Sequence, residues 1–217
     1  MDRNLLEISD GKLYELNDMV KVGCHDCAGC SECCRDMGQS VLLDPYDVFL
    51  LTKNLEMTFE ELMQEHVELH MEEGLILPNL KMAVDGNAGI PACTFLNEQG
   101  RCSIHAFRPG ICRLFPLGRN YTPDHLNYFL LVHECPAQNK TKMKVSKWID
   151  SERVRDYQKF LLDWHNLTKQ MREEVAACMD EDAQCRKMMM MFLTLFYQKP
   201  YISDDFFAEF YERAGIF

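Results

Sequence analysis

The sequence predicts an α+β fold, rich in helix, in which an irregular cysteine-bearing half with short strands is covered by a helical C-terminal cap. Three observations carry this. Nine of the 11 cysteines fall between Cys24 and Cys135, in stretches that follow neither a helical nor a strand period. Short apolar runs bounded by turn residues, such as NYFLLVH over 127–133, break up that half. Over 146–178, by contrast, apolar residues from Trp148 to Val175 recur at helical spacing.

Taken in order, the brief alternation in 11–23 predicts a strand or an extended arm. The run 24–34 has no period and reads as a loop wrapped on its own side chains. Asp44-Pro45 then reads as an N-cap followed by proline at the first helical position, with Asp47 favourable in the first turn. That helix should run to about residue 54. Thr58-Phe-Glu-Glu61 is a capping box and predicts a second helix to about Met71. Residues 75–84 read as extended, with Pro78 at an edge or bend, and Asp85-Gly86-Asn87 as a turn. Pieces at 93–96 and 101–104 flank a turn at 97–100, as in a small hairpin. After the strand at 127–133 the chain should be helical, with a break at Pro200 and Ser203-Asp204-Asp205. The expectation is a single domain over 1–217. Its cysteine-cluster region covers 20–136 and its helical region 141–217.

Composition narrows the function classes. The net charge is -11, and residues 1–140 carry nearly all of it, with 11 Lys and Arg against 21 Asp and Glu. An acidic surface repels a phosphate backbone, so nucleic acid is not an expected partner. No apolar stretch approaches the eighteen or so residues a membrane helix needs, so no membrane partner is expected. Residues 1–7 are acidic where a secretory leader is basic, and no apolar run follows. The expectation is therefore a cytoplasmic chain with reduced cysteines, in which a protein partner is possible but unnamed by the sequence. With an odd cysteine total and 47% hydrophobic residues, a disulfide framework is not what the fold needs.

The strongest local signal is Cys24-His-Asp-Cys27-Ala-Gly-Cys30-Ser-Glu-Cys33-Cys34. Two residues between cysteines let one turn bring both sulfurs to a single ion or cluster. Zinc takes four such ligands in a tetrahedron, and a cubane iron–sulfur cluster takes four thiolates. Downstream lie Cys93, Cys102, Cys112 and Cys135. One site cannot use nine thiolates. Two four-ligand centres use eight, and the ninth bridges or stands beside them; sequence order alone does not say which cysteine serves which centre. The candidate ligands are thus Cys24, Cys27, Cys30, Cys33, Cys34, Cys93, Cys102, Cys112 and Cys135. The compact run, the Cys135-Pro136 ending and the all-sulfur donor set favour one or two 4Fe-4S clusters, with zinc as the alternative.

The order Cys27-x2-Cys30-x2-Cys33-Cys34, Cys93-Thr-Phe-Leu, Cys102-Ser-Ile-His and Arg108-Pro-x2-Cys112-Arg-x-Phe-Pro resembles the YkgJ-type cysteine-cluster family. That family is regarded as zinc- or iron-chelating, and flagellin lysine N-methylases share the motif. The resemblance implies that Cys27, Cys30, Cys33, Cys34, Cys93, Cys102 and Cys112 are ligand positions, with Cys24 and Cys135 as additions.

Other residues rank lower as ligands. Arg108 and Arg113 flank Cys112 and read as charge compensation for thiolates. His25, His105 and His133 lie near cysteines but are better explained by packing or exposure. His66 and His70, four apart on the expected second helix, could share a metal but read as a solvated face. Cys178 and Cys185 read as small core residues. Met188–Met191 point all round a helix and read as core or interface filling. No phosphate loop, dinucleotide motif or nucleophile elbow occurs. Three roles are therefore expected to compete. They are a metal or cluster protein in redox, sensing or transfer, a lysine-methylase-like enzyme, and a structural zinc domain that mediates protein interactions. The sequence leaves catalysis open.

Overall fold

The computed structural model describes residues 5–24, 27, 30–84, 89–178 and 183–215. It is α+β, with helices and small antiparallel strand pairs and, among the described residues, no closed barrel. The chain opens with α1 (Leu5–Ile8) and β1 (Met19–Gly23). A 3-10 turn at Glu32–Cys34 ends the cysteine run. Helix α2 (Pro45–Leu55) starts as the sequence predicts. The Asp44 side chain accepts the Asp47 N–H at 2.9 Å, and Asp47 reciprocates at the Asp44 N–H. Helix α3 (Phe59–Glu65) opens on the Thr58–Glu61 capping box.

That helix stops at Glu65, short of the expected Met71. Residues Val67–Glu72 form β2, which pairs with β3 (Leu75–Leu80) in register Val67↔Leu80 through Glu72↔Leu75. The two loop residues Glu73 and Gly74 both have positive φ, 47° and 89°, the backbone of a tight primed hairpin turn. The apolar partner strand at 75–80 overrides the helical spacing of 58–71. His66 and His70 therefore do not share a helix face. His66 stacks on Phe95 with ring centroids 4.0 Å apart, and His70 bonds Asn79 at 2.7 Å.

The chain continues through β4 (Met82–Val84), β5 (Pro91–Cys93) and α4 (Gly110–Leu114) to β6 (Leu117–Tyr121) and β7 (Leu126–Leu130). The expected turn at 85–87 lies outside the described residues. The hairpin expected around 97–100 survives as one bridge, Leu96↔Cys102, closed by the Asn97 N–H on the Arg101 carbonyl. Two strands were not legible in the sequence. One is β6, which pairs with β7, and the other is β8 (Thr141–Lys144), which pairs with β1 where helix was expected. Both are short and polar on one side, so they show no run of apolar alternation.

The cap comprises α5 (Val145–Ile149), α6 (Val154–Ala177), α7 (Ala183–Leu193), a π turn at Thr194–Gln198 and α8 (Phe206–Ala214). Helix α6 buries Tyr157, Phe160, Leu161, Trp164 and Met171 on one stripe. Phe160 meets Phe210 edge-on with centroids 4.7 Å apart, and Trp164 stacks on Phe192 at 5.3 Å. Each such ring, fully buried, contributes roughly 1.5–3 kcal/mol. The expected core residues Cys178 and Cys185 are instead joined as a disulfide across the α6–α7 connection. Among the described residues no helix is long and apolar enough to cross a membrane.

Among the hydrogen bonds that fix the cap to the cysteine half, three lie at its centre. Trp148 Nε1 donates to the Leu114 carbonyl at 3.0 Å, the Tyr197 hydroxyl to the Leu43 carbonyl at 3.0 Å, and Arg119 Nη2 to the Tyr157 hydroxyl at 3.1 Å. Gly110 sits at this junction. Its N–H donates to Asp47 Oδ1 at 2.7 Å, and a Cβ there would collide with the Tyr157 hydroxyl. Gly110→Ala should therefore destabilise the fold by about 1–3 kcal/mol through overpacking. Chemical denaturation checks this, and a midpoint equal to that of the unsubstituted protein would contradict the packing described.

Candidate metal centre

The cysteine run is a chain of three-residue turns. The Cys27 N–H donates to the Cys24 carbonyl at 3.2 Å, Cys30 to Cys27 at 3.1 Å, and Cys34 to Ser31 at 2.9 Å. Cys27 has a positive φ of 55°, and Cys24, Cys27, Cys30 and Cys33 all line one cavity. The Cys24 and Cys27 sulfurs are 3.4 Å apart. The end of the run is docked on β5: Arg35 bridges Ala92 and the Asp36 N–H donates to the Pro91 carbonyl at 2.8 Å. This brings Cys33 and Cys34 beside Cys93. Tight turns after Cys93 and Cys102, closed by the Leu96 N–H on Cys93 and the His105 N–H on Cys102, aim those two thiols inward. Helix α4 supplies Cys112. The Gly23↔Thr141 pair of β1 and β8 brings the strand before Cys24 to the segment that follows Cys135.

The nine thiols line two adjoining cavities. The first, about 50 Å³, is bounded by Cys34, Cys93, Cys102 and Cys112 together with Cys27, Cys30 and Cys33. The second, about 240 Å³, is bounded by Cys24 and Cys135 and by the same Cys27, Cys30 and Cys33. Phe115 is a wall of both. Cys93 is buried and the other eight are half-buried. Among the described residues, no group of three or more His, Cys, Asp or Glu side chains stands in an arrangement that holds a metal ion. The donor set nevertheless fits a thiophilic metal in kind, since its nine soft donors line a shared space.

Cys33 is the hub. Its sulfur is close enough to Cys27, Cys93, Cys102 and Cys112 for its charge to oppose theirs. Its own thiol is raised chiefly by its contact with Cys34, then by burial. Burial pushes Cys27 up to about 12, with the Cys24 contact adding to it, and Cys93 up to about 11. Burial also raises Cys102, and carries Cys112 well above the ordinary thiol range. Thiols so placed keep their protons until a cation offsets the desolvation. Arg108 supplies a fixed positive charge that lowers Cys27, Cys33 and Cys102, and its guanidinium contacts the His105 ring nitrogen.

The other residues weighed in the sequence fall out as follows. Arg113 turns away from the sulfurs. It is buried beside Asp44 and Asp47, with its guanidinium 5.7 Å over the Tyr157 ring. His105 lines the first cavity, whereas His133 is exposed and lines neither. His25 lies outside the described residues. The sequence reading missed the Asp47–Gly110 tie, because Asp47 reads as an ordinary capping residue; its near-complete burial is a tertiary fact. Phe115 was visible in the Arg-x-Phe-Pro motif but not as a wall.

The profile of the CxxCxxCC family, described as "Putative zinc- or iron-chelating domain", matches residues 26–148. The chain belongs to this family. No curated protein and no solved structure matches the chain. The CxxCxxCC match spans the cysteine run from Cys27 onward, the lining of both cavities apart from Cys24, α4, the β8 strand and most of α5. The sulfur-rich half is thus a metal-chelating domain by family, and the cap from α6 onward lies beyond the match.

The pairing of Cys178 with Cys185 sets apart nine free thiols from two bonded ones. Metal-free protein, unfolded anaerobically without reductant, should release nine thiols to a colorimetric reagent, and all 11 after reduction. Eleven without reductant would remove the disulfide from the account.

Proposed function

We propose that the chain is a two-centre metal protein, and that its role is redox, sensing or transfer of metal or cluster. The observation that carries this is the lining of two adjoining cavities by nine thiols, of which Cys27, Cys30 and Cys33 face both. Cys24, Cys27, Cys30 and Cys135 would hold the centre in the larger cavity. Cys34, Cys93, Cys102 and Cys112, with Cys33 facing both sides, would hold the other.

Size bears on the identity of each. One water needs at least about 10–15 Å³ of such space, so the 50 Å³ cavity has room for a few atoms, which suits a single tetrahedral ion. The 240 Å³ cavity has room for a cubane iron–sulfur cluster, which takes four thiolates. When bound, such a cluster supplies one-electron chemistry. Around the larger cavity the protein would contribute the sulfur ligands and the walls Phe115 and Pro116, while Arg108, Val41, Leu80 and Ile104 would enclose the smaller one. A purely structural zinc role would call for one closed four-ligand centre, whereas nine free thiols line these two cavities. Lysine methylation draws no support from a matching protein.

Anaerobically purified protein should be brown and contain iron and sulfide. Cys135→Ser should abolish the colour and the sulfide while keeping the second metal. Cys112→Ser should keep the colour and lose that metal, and Cys33→Ser should diminish both. Metal analysis and an absorption spectrum of each variant make the check. Equal losses from Cys135→Ser and Cys112→Ser would show a single shared centre instead of two.

A further inference from the structure

Behind α4, on the side away from Cys112, lies a third cavity of about 570 Å³. Its walls are mostly apolar: Leu77 from β3, Leu114 from α4, Leu131 after β7, and Trp164 from α6. Two polar side chains meet it, the half-buried Arg119 from β6, whose Nε is itself buried, and the buried Asp44 from the cap of α2. Neither is fully satisfied. Arg119 donates through Nη2 to the Tyr157 hydroxyl, while its Nε has no hydrogen-bond partner among the described residues. Asp44 spends Oδ1 on the helix cap, and its Oδ2 likewise has none. A buried polar atom without a partner costs about 1–3 kcal/mol, and its retention calls for an explanation.

The charge balance indicates the ligand's sign. Arg113 and Arg119 face Asp44 and Asp47 in one buried group. Burial and the neighbouring Asp47 charge push the Asp44 carboxyl up to about 8, against the pull of Arg119. Of the two guanidiniums only that of Arg119 lines the cavity, and its unpartnered Nε is a charged donor that an anionic group would meet. Arg172, ion-paired to the exposed Glu73 at 3.2 Å, also lines the cavity, as does Glu134. Apolar walls with a few convergent polar groups are the usual make-up of a small-molecule site.

We propose that this cavity binds a small amphipathic carboxylate, its acid group on the Arg119 guanidinium beside Asp44 and its apolar body against Trp164, Leu77 and Leu131. The site touches the thiol cavities through one shared wall. Phe115 lines all three spaces, and α4 turns Cys112 to the sulfurs and Leu114 to this cavity. Occupancy is thus placed to be felt at the metal centre, as for a substrate or an effector.

The test uses the full chain as purified, with 3-phenylpropionate as the probe and 3-phenylpropionamide as its neutral isostere. Trp164 fluorescence and calorimetry follow binding. The acid should bind saturably at one site, and the amide at least about tenfold more weakly. Arg119→Gln should weaken the acid about tenfold and leave the amide unchanged. Leu131→Trp, at a half-buried wall position, should abolish binding of both at unchanged thermal stability; it serves if Arg119→Gln fails to fold. No saturable binding of the acid, equal binding of acid and amide, or wild-type affinity in Leu131→Trp would overturn the proposal. Loss of the metal in the cysteine variants with probe binding retained would separate this site from the reading of the thiol centres.

Discussion

Helix α4 is the constraint on which the arrangement of both sites depends. Five residues are too few for a helix to persist alone in water. It is held from outside at each end, by Asp47 Oδ1 on the Gly110 N–H and by Trp148 Nε1 on the Leu114 carbonyl. The first tie comes from the N-terminal turn of α2, the second from the cap. The position of Cys112 is therefore set by two elements distant in sequence, neither of which carries a ligand candidate. Because α4 separates the thiols from the apolar cavity, the same two ties also set the wall between them.

Within the cysteine half, the segments that carry the thiols have little core of their own. Its loops are joined by single backbone bonds, such as Asp36 to Pro91 and Arg35 to Ala92, and by strand pairs only a few residues long. The apolar core lies mainly in the β2–β3 hairpin, α2, α3 and the cap. Nine sulfur donors sit where ordered structure is thinnest, and metal bound there would contribute directly to folding. In an acidic chain a bound cation would also relieve the crowding of like charge that Cys33 imposes on its neighbours.

Much of this was legible in the sequence for local reasons. The caps at Asp44 and Thr58 follow from side chains bonding N–H groups three residues on, and the stripe of α6 from a period of 3.6. The cysteine spacing of three likewise maps directly onto three-residue turns. What failed was non-local. The spacing of 58–71 fits a helix, yet 67–72 pairs with 75–80 because the partner strand buries Leu75, Leu77 and Leu80. Strands β6 and β8 exist only through their partners. The Cys178–Cys185 bond was hidden by a helical pattern that continues on both sides of it. Asp44 was readable as a cap, but not as a half-satisfied carboxyl on a cavity wall. The distribution of sulfurs between two spaces depends on docking of the run against β5, which no local rule supplies.

The central claim is that the sulfurs of this half converge on metal as its ligands. X-ray absorption at the metal edge of anaerobically purified protein tests it most directly. The account predicts a first shell made of sulfur at about 2.3 Å, with iron–iron scattering from the larger cavity. A shell dominated by nitrogen or oxygen at about 2.0–2.2 Å would contradict it.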